Sequence, residues 1–176
     1  ITSELVFENL RVPDEFRLPN ATSLRAPLMC LAEARFGIIF GVVGAARDCL
    51  ESSIAYGKSR VQFDRPIAGY QLTQAKYAQM ASGITASLLL AYHLADLKDA
   101  GKIEPEQISM RKYHNVNTAL EIAPSARSIL GGAGITTEYP VFRHMSNLET
   151  VLTYEGTHEI HTLVIGQALT GENAIR

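Results

Sequence analysis

The sequence predicts an all-α fold: an antiparallel up-and-down four-helix bundle, preceded by a terminal strand of a β-domain whose remainder lies outside the chain. Three observations carry this. Apolar residues recur at helical spacing over long stretches that begin near residues 28, 71, 105 and 158. The loops between those stretches are short and punctuated by Gly and Pro. Strand-like patterning is confined to one segment, residues 4–12.

That segment, from Glu4 to Val12, mixes β-branched and aromatic residues with partial alternation and stops at Pro13. One strand is not stable alone, so it reads as the end of a β-rich domain. From Pro13 to Pro27 the chain is rich in Pro, Asn and Ser and reads as a linker. Residues 1–27 are thus set apart from a helical domain spanning 28–176.

The first helix is expected from about Leu28 to Lys58, with Phe36, Ile39, Phe40, Val43, Leu50 and Ile54 as its apolar stripe. Gly37, Gly41 and Gly44 form a second stripe, and each costs roughly 1 kcal/mol relative to Ala in a helix. Something must approach that face closely: first choice a neighbouring helix, second a ligand. A turn over Tyr56–Tyr70 leads to a second helix from about Gln71 to Ala100. Leu72, Met80, Ile84, Leu88, Ala91 and Ala95 share one face there, and Leu89, Leu90 and Leu97 lie elsewhere, as in a helix covered on two sides. The third helix starts near Pro105, a suitable first-turn residue, and ends at Gly131-Gly132-Ala133-Gly134. Pro124 inside it removes a backbone donor and predicts a bend. A short helical piece around Val141–Asn147 precedes the last helix, which runs to about Leu169 and closes at Gly171.

At 176 residues, 47% hydrophobic, 19% charged and with a net charge of −2, the chain has the balance of a globular protein. No basic patch with interleaved aromatics points to nucleic acid. No apolar run reaches bilayer length, since the candidate Ile84–Ala95 is interrupted by Tyr92 and His93, so a membrane partner is not expected. Cys30 and Cys49 lack metal or disulfide spacing and read as reduced packing residues.

Chemistry concentrates in Thr153-Tyr154-Glu155-Gly156-Thr157-His158-Glu159-Ile160-His161. Glu155 lies at or just ahead of a helix N-terminus, where free N–H groups and the macrodipole favour an ionised carboxylate. Gly156 lets a bound molecule approach the backbone. Such a carboxylate is a base facing a ligand or, with Thr157, simply a cap. Glu155 and His158 have E-x-x-H spacing, but a di-iron bundle needs a second copy, and His158 and His161 are three apart rather than four, so no metal is assigned and both histidines read as polar residues at a helix start. The glycine run at 131–134 closes a helix and so reads as a C-cap rather than a dinucleotide fingerprint. Arg60 is either a helix-end cation or a phosphate donor, and composition does not choose.

Four stretches together resemble the C-terminal part of the acyl-CoA dehydrogenase family: Ala34-Arg35-Phe36-Gly37; Arg60-Val61-Gln62-Phe63 with Pro66-Ile67 and Gln71; Ile129 to Ile135 with Glu138-Tyr139; and Thr153 to His161. Thr153 to His158, the acidic residue and histidine that follow, and Leu169-Thr170-Gly171 are most like the glutaryl-CoA dehydrogenase branch. The resemblance implies Glu155 as the base taking the α-proton of an acyl-CoA thioester, with its N–H polarising the carbonyl. It implies that Leu28, Met29, Cys30, Leu31, Ala32, Glu33, Ala34, Arg35, Tyr154 and Gly156 line the substrate channel. It implies FAD contacts from Arg60, Phe63, Gln71, Ser128, Ile129, Leu130, Gly131, Gly132 and Thr157, the flavin being held mainly by a neighbouring subunit of a homotetramer, a dimer of dimers. Residues 1–27 then close the family's middle β-domain.

In the glutaryl branch the oxidised intermediate loses carbon dioxide to give crotonyl-CoA, in lysine and tryptophan degradation, and electrons pass to an electron-transfer flavoprotein. Location follows as cytoplasm in a bacterium or mitochondrial matrix in a eukaryote. Without most of the β-domain, this chain alone is expected neither to retain FAD nor to turn over. Other readings are a dehydrogenase for another short-chain acyl-CoA without decarboxylation, and a non-catalytic helical assembly module. Three positions depart from the family pattern: Asp64 where glycine is usual, Ser128 where glutamine or aspartate is commoner, and Pro124.

Overall fold

The computed structural model describes residues 3–174 and is almost wholly helical. In chain order, α1 spans Arg25–Ser59, a two-residue-per-strand hairpin pairs β1 (Val61–Gln62) with β2 (Arg65–Pro66), α2 spans Gln71–Asp99, α3 Pro105–Leu130, α4 Val141–Thr153 and α5 His158–Thr170. Helix α3 packs against each of the other four, and α1 also meets α2 and α4.

The bundle predicted from the sequence is present, with its fourth column divided between α4 and α5. Helix α4 runs six residues beyond the expected Asn147, because buried Leu148 and the partly buried Val151 and Leu152 continue its apolar stripe. Helix α1 begins three residues early, at Arg25; Pro27 is accommodated in the first turn, where its missing N–H has no helical acceptor to lose. Pro105 opens α3 behind a capping box in which Glu104 and Gln107 bond each other's backbone, and the helix continues through Pro124 to Gly131, whose φ is +60°. Thr157 caps α5 through Ile160 N, and Gly171 closes it in the left-handed region.

The strand over residues 4–12 is not formed: Leu5, Val6, Phe7, Leu10 and Val12 are exposed, and the described chain offers no second edge to complete a ladder. Helices α1 and α2 are each long and apolar enough to cross a membrane by length and composition, although no unbroken apolar run announces it. Closely spaced Ala, Leu and Ile, with Val and Phe in α1, raise the mean hydropathy of stretches that polar residues interrupt. In this fold both helices pack in the bundle.

The core is mainly Val42, Val43, Ala46 and Cys49 of α1, Met80 and Ile84 of α2, the Val116–Leu130 stripe of α3, and Val141 and Leu148 of α4. Leu72, expected on the buried face of α2, is exposed instead. Buried Asn115 ties three helices together, its amide donating to Ile39 O of α1 and Ser87 O of α2, each at 3.1 Å. The second apolar face of α2 is open within this chain, with Leu89 and Tyr92 exposed. No helix settles onto the glycine stripe of α1 either. Nothing lies within 4 Å of where a Cβ would sit on Gly37, Gly41 or Gly44. Gly37 and Gly41 instead line a cleft of ≈ 400 Å³ facing α4, with Ala34, His144 and Tyr154 on its walls.

Candidate active site

Glu155 sits in the tight connection between α4 and α5 with φ at +56°, followed by Gly156 at +89°. A glutamate in the left-handed region is uncommon and needs surrounding structure to hold it there. That structure is cationic. Arg35 Nε of α1 donates to Glu155 O at 2.5 Å, and Lys112 Nζ of α3 donates to Tyr154 O at 2.5 Å and to Gly156 O at 2.7 Å. Three successive carbonyls therefore turn towards two basic side chains. Lys112 is 1% exposed.

The carboxylate itself is left free. Glu155 is half-buried, its Oε2 is buried without a hydrogen-bond partner, and Arg35 holds the residue's carbonyl rather than its carboxylate. Capping falls to Thr157 alone. The arrangement can present an unpaired carboxylate from a fixed backbone, beside a cleft lined by its neighbour Tyr154. That is the arrangement a general base requires.

Beneath the turn lies His161, 1% exposed, with both ring nitrogens unpartnered. Burial first, then the charges of Lys112 and Arg35, push its pKa down to about 4, against a weaker pull from the backbone of Glu155 and Gly156. It is a neutral imidazole filling space, not the polar helix-start residue expected from the sequence. A Cβ on Gly156 would meet its Cε1 and Nε2 at 3.1 Å and Arg35 Nη2 at 3.3 Å, so a side chain there would have to push these neighbours aside by a few tenths of an ångström, besides adopting a left-handed φ. His158 stacks on Tyr113, ring centroids 3.9 Å apart. Lys112 is pushed down to about 8 by burial and by Arg35, with Glu155 opposing.

Within this chain the eight residues from Leu28 to Arg35 face different surroundings. A helix turns through 3.6 residues, so consecutive side chains face all directions. Arg35 reaches the Glu155 turn and Ala34 lines the cleft. Ala32 packs into the cluster around Ile39, and Glu33 pairs with Lys98 of α2. Leu28, Met29 and Cys30 are exposed in the first turns of α1, and Leu31 is half-buried.

The residues expected to meet a flavin divide as well. Phe63, Gln71, Ser128 and Ile129 share a cleft of ≈ 780 Å³ with Arg65, Tyr70, Thr73 and Lys76. Phe63 and Asp64 form the tip of the β1–β2 hairpin, both at positive φ (+52° and +66°), so Asp64 supplies the turn geometry at the family's glycine position. Phe63 is 90% exposed at that tip. Ser128 accepts from Lys76 Nζ at 2.8 Å. Arg60 lies outside this cleft as the α1 C-cap, Leu130 is buried in the core, and Gly131 and Gly132 are exposed with open space around them. Thr157 belongs to the Glu155 turn.

Lys112 and Lys76 were not found from the sequence. For Lys112 a signal exists: it occupies the apolar stripe of α3 between Ile108 and Val116, four residues from each. A charge at a core position demands a partner. Among the described residues, no three His, Cys, Asp or Glu side chains are grouped to hold a metal.

Residues 24–170 match the model of the acyl-CoA dehydrogenase C-terminal domain. An acyl-CoA dehydrogenase of Bacillus subtilis (strain 168) is 37% identical over 97% of this chain and 45% of its own length. A glutaryl-CoA dehydrogenase structure from Mycobacterium smegmatis matches at 63% identity and a TM-score of 0.92, over 95% of this chain and 43% of that one. A second from the same organism, in complex with FADH2, matches at 56% identity and a TM-score of 0.94, over 97% and 44%. The chain spans less than half the length of the relatives it matches.

Proposed function

The chain belongs to the acyl-CoA dehydrogenase family, and on that premise we propose that the complete polypeptide is an FAD-dependent α,β-dehydrogenase of the glutaryl-CoA type, forming crotonyl-CoA and carbon dioxide. The observation that carries the reading is the unpaired, buried Oε2 of Glu155 on a turn locked by Arg35 and Lys112. A non-catalytic assembly module expects Glu155 to be a solvated or salt-bridged cap, and it is neither. Greater likeness to the two glutaryl-CoA dehydrogenases than to the Bacillus enzyme supports the glutaryl branch over another short-chain acyl-CoA substrate.

In this reading Glu155 takes the proton from the α-carbon, and its own N–H polarises the thioester carbonyl, stabilising the enolate-like transition state more than the ground state. Gly156 leaves room for the thioester, and Tyr154 and Ala34 flank the acyl chain. FAD, when bound, supplies the acceptor for the β-hydrogen, which leaves as hydride. The wide cleft with an exposed aromatic at its edge and Arg65, Lys76 and Gln71 on its walls suits an aromatic, phosphorylated ligand seated between subunits. The open apolar face of α2 supports a homotetramer. Electrons then pass to an electron-transfer flavoprotein, and two unpaired cysteines fit bacterial cytoplasm or mitochondrial matrix.

The test is anaerobic flavin reduction of the complete polypeptide by glutaryl-CoA and by butyryl-CoA. The glutaryl reading expects glutaryl-CoA to bleach the flavin at least ~10-fold faster, with stoichiometric carbon dioxide. Faster bleaching by butyryl-CoA, or oxidation of glutaryl-CoA that stops at glutaconyl-CoA without gas release, contradicts it.

A further inference from the structure

We propose that Lys112 is a positioning residue for the reaction, aiming the Glu155 backbone donor by holding the carbonyls on either side of it. The inference rests on the assignment of Glu155 as the base. Its ground is the direction of three peptide planes. Tyr154 O and Gly156 O both accept from Lys112 Nζ, and Glu155 O accepts from Arg35. All three peptides are trans, and a trans peptide points its N–H opposite to its C=O. Each inward carbonyl therefore sends the next residue's N–H outward: those of Glu155, Gly156 and Thr157. Among the described residues no backbone acceptor takes any of the three.

Successive outward N–H groups form a concavity suited to an oxyanion, and developing negative charge on a thioester oxygen is such a ligand. Among the described residues Lys112 is the only one that grips both flanks of Glu155, and it does so from α3, the helix that packs against every other. A cation is suited to this because two carbonyl oxygens must converge on one donor, and the three N–H groups of an ammonium can serve both. Placing a lysine in the core stripe of α3 is costly, and besides the two carbonyls its ammonium faces the Tyr154 ring at 5.9 Å. His161 fills the space behind Gly156, and neither of its ring nitrogens makes a hydrogen bond.

The experiment uses the complete flavoprotein and variants Lys112→Met, Lys112→Arg and Glu155→Gln. Each is titrated with a 3-thia-acyl-CoA, a thioester that can lose its α-proton but cannot be oxidised. Deprotonation is read as long-wavelength charge-transfer absorbance between the enolate and the oxidised flavin. Lys112→Met is expected to raise the pH midpoint of that deprotonation by about one unit or more, and to lower kcat on the order of 10²-fold with KM changed less than about 3-fold. Lys112→Arg, keeping the charge but not the convergent geometry, is expected between the two. An unmoved midpoint in Lys112→Met overturns the proposal. Should that variant not assemble with flavin, Lys112→Arg decides alone: a raised midpoint supports the proposal and an unmoved one overturns it. Glu155→Gln reports separately on the base. If it still deprotonates the analogue, the base assignment fails; if it does not, while the Lys112 variants match wild type, only the role of Lys112 fails.

Discussion

Among the described residues two turns hold consecutive residues at positive φ, and they are supported in opposite ways. The β1–β2 hairpin tip, Phe63-Asp64, stands in the open with its aromatic ring almost fully exposed, tied back mainly by Tyr70 Oη donating to Gln62 O at 2.8 Å. The α4–α5 connection, Glu155-Gly156, is pinned from below by Arg35 and Lys112 and backed by His161. The first displays a side chain and leaves its completion to something outside the chain. The second is complete within the chain and leaves only a carboxylate oxygen and backbone donors unsatisfied. Strain held against buried partners belongs to positioning, whereas strain at an exposed tip belongs to docking.

Five substitutions and a change of pH break or sharpen that contrast. Gly156→Ala strikes the pinned turn hardest, adding left-handed strain to a Cβ at 3.1 Å from His161; about 2–4 kcal/mol of stability should be lost in thermal or denaturant unfolding of the complete flavoprotein. Acid is expected to loosen the same turn. His161 has a folded pKa of about 4 against 6.5 when free, so below about pH 6.5 the unfolded chain binds the extra proton, and stability falls as pH drops towards 4, by roughly 2–3 kcal/mol. In His161→Gln that part of the pH dependence should vanish. Asn115→Leu removes the amide that seats α3 on α1 and α2 and should cost about 1–3 kcal/mol, a test of whether the turn inherits its rigidity from that helix. The hairpin should hardly respond: Asp64→Gly relieves left-handed strain and should stabilise by only a few tenths of a kcal/mol, while Phe63→Ala should leave unfolding unchanged and weaken flavin retention.

How far the sequence revealed this depended on whether a residue acts through its own element or through another. Pro105, Thr157 and Gly171 mark helix ends by local backbone chemistry, and all three do so in the structure. The helical stripes of α1 and α3 are local too, and they found the bundle. Glu155 was visible because it sits among Gly156 and the capping Thr157. Lys112 and His161 were hidden because their roles exist only once α3, α4 and α5 meet around one turn. A lysine in an apolar stripe is the one local clue to the first of them. The expected strand at residues 4–12 fails for the same reason in reverse, since its pattern is local but a ladder is not. Gly37 and Gly41 of the α1 glycine stripe line a cleft that lies open rather than filled by a helix of this chain.

The account rests on Glu155 as the group that removes the α-proton. Rapid mixing of glutaryl-CoA with the complete flavoprotein, wild type and Glu155→Gln, measures this directly as the rate of anaerobic flavin bleaching. A fall on the order of 10²–10⁴-fold in Glu155→Gln, with flavin content retained, is predicted. Bleaching as fast as wild type would contradict the assignment.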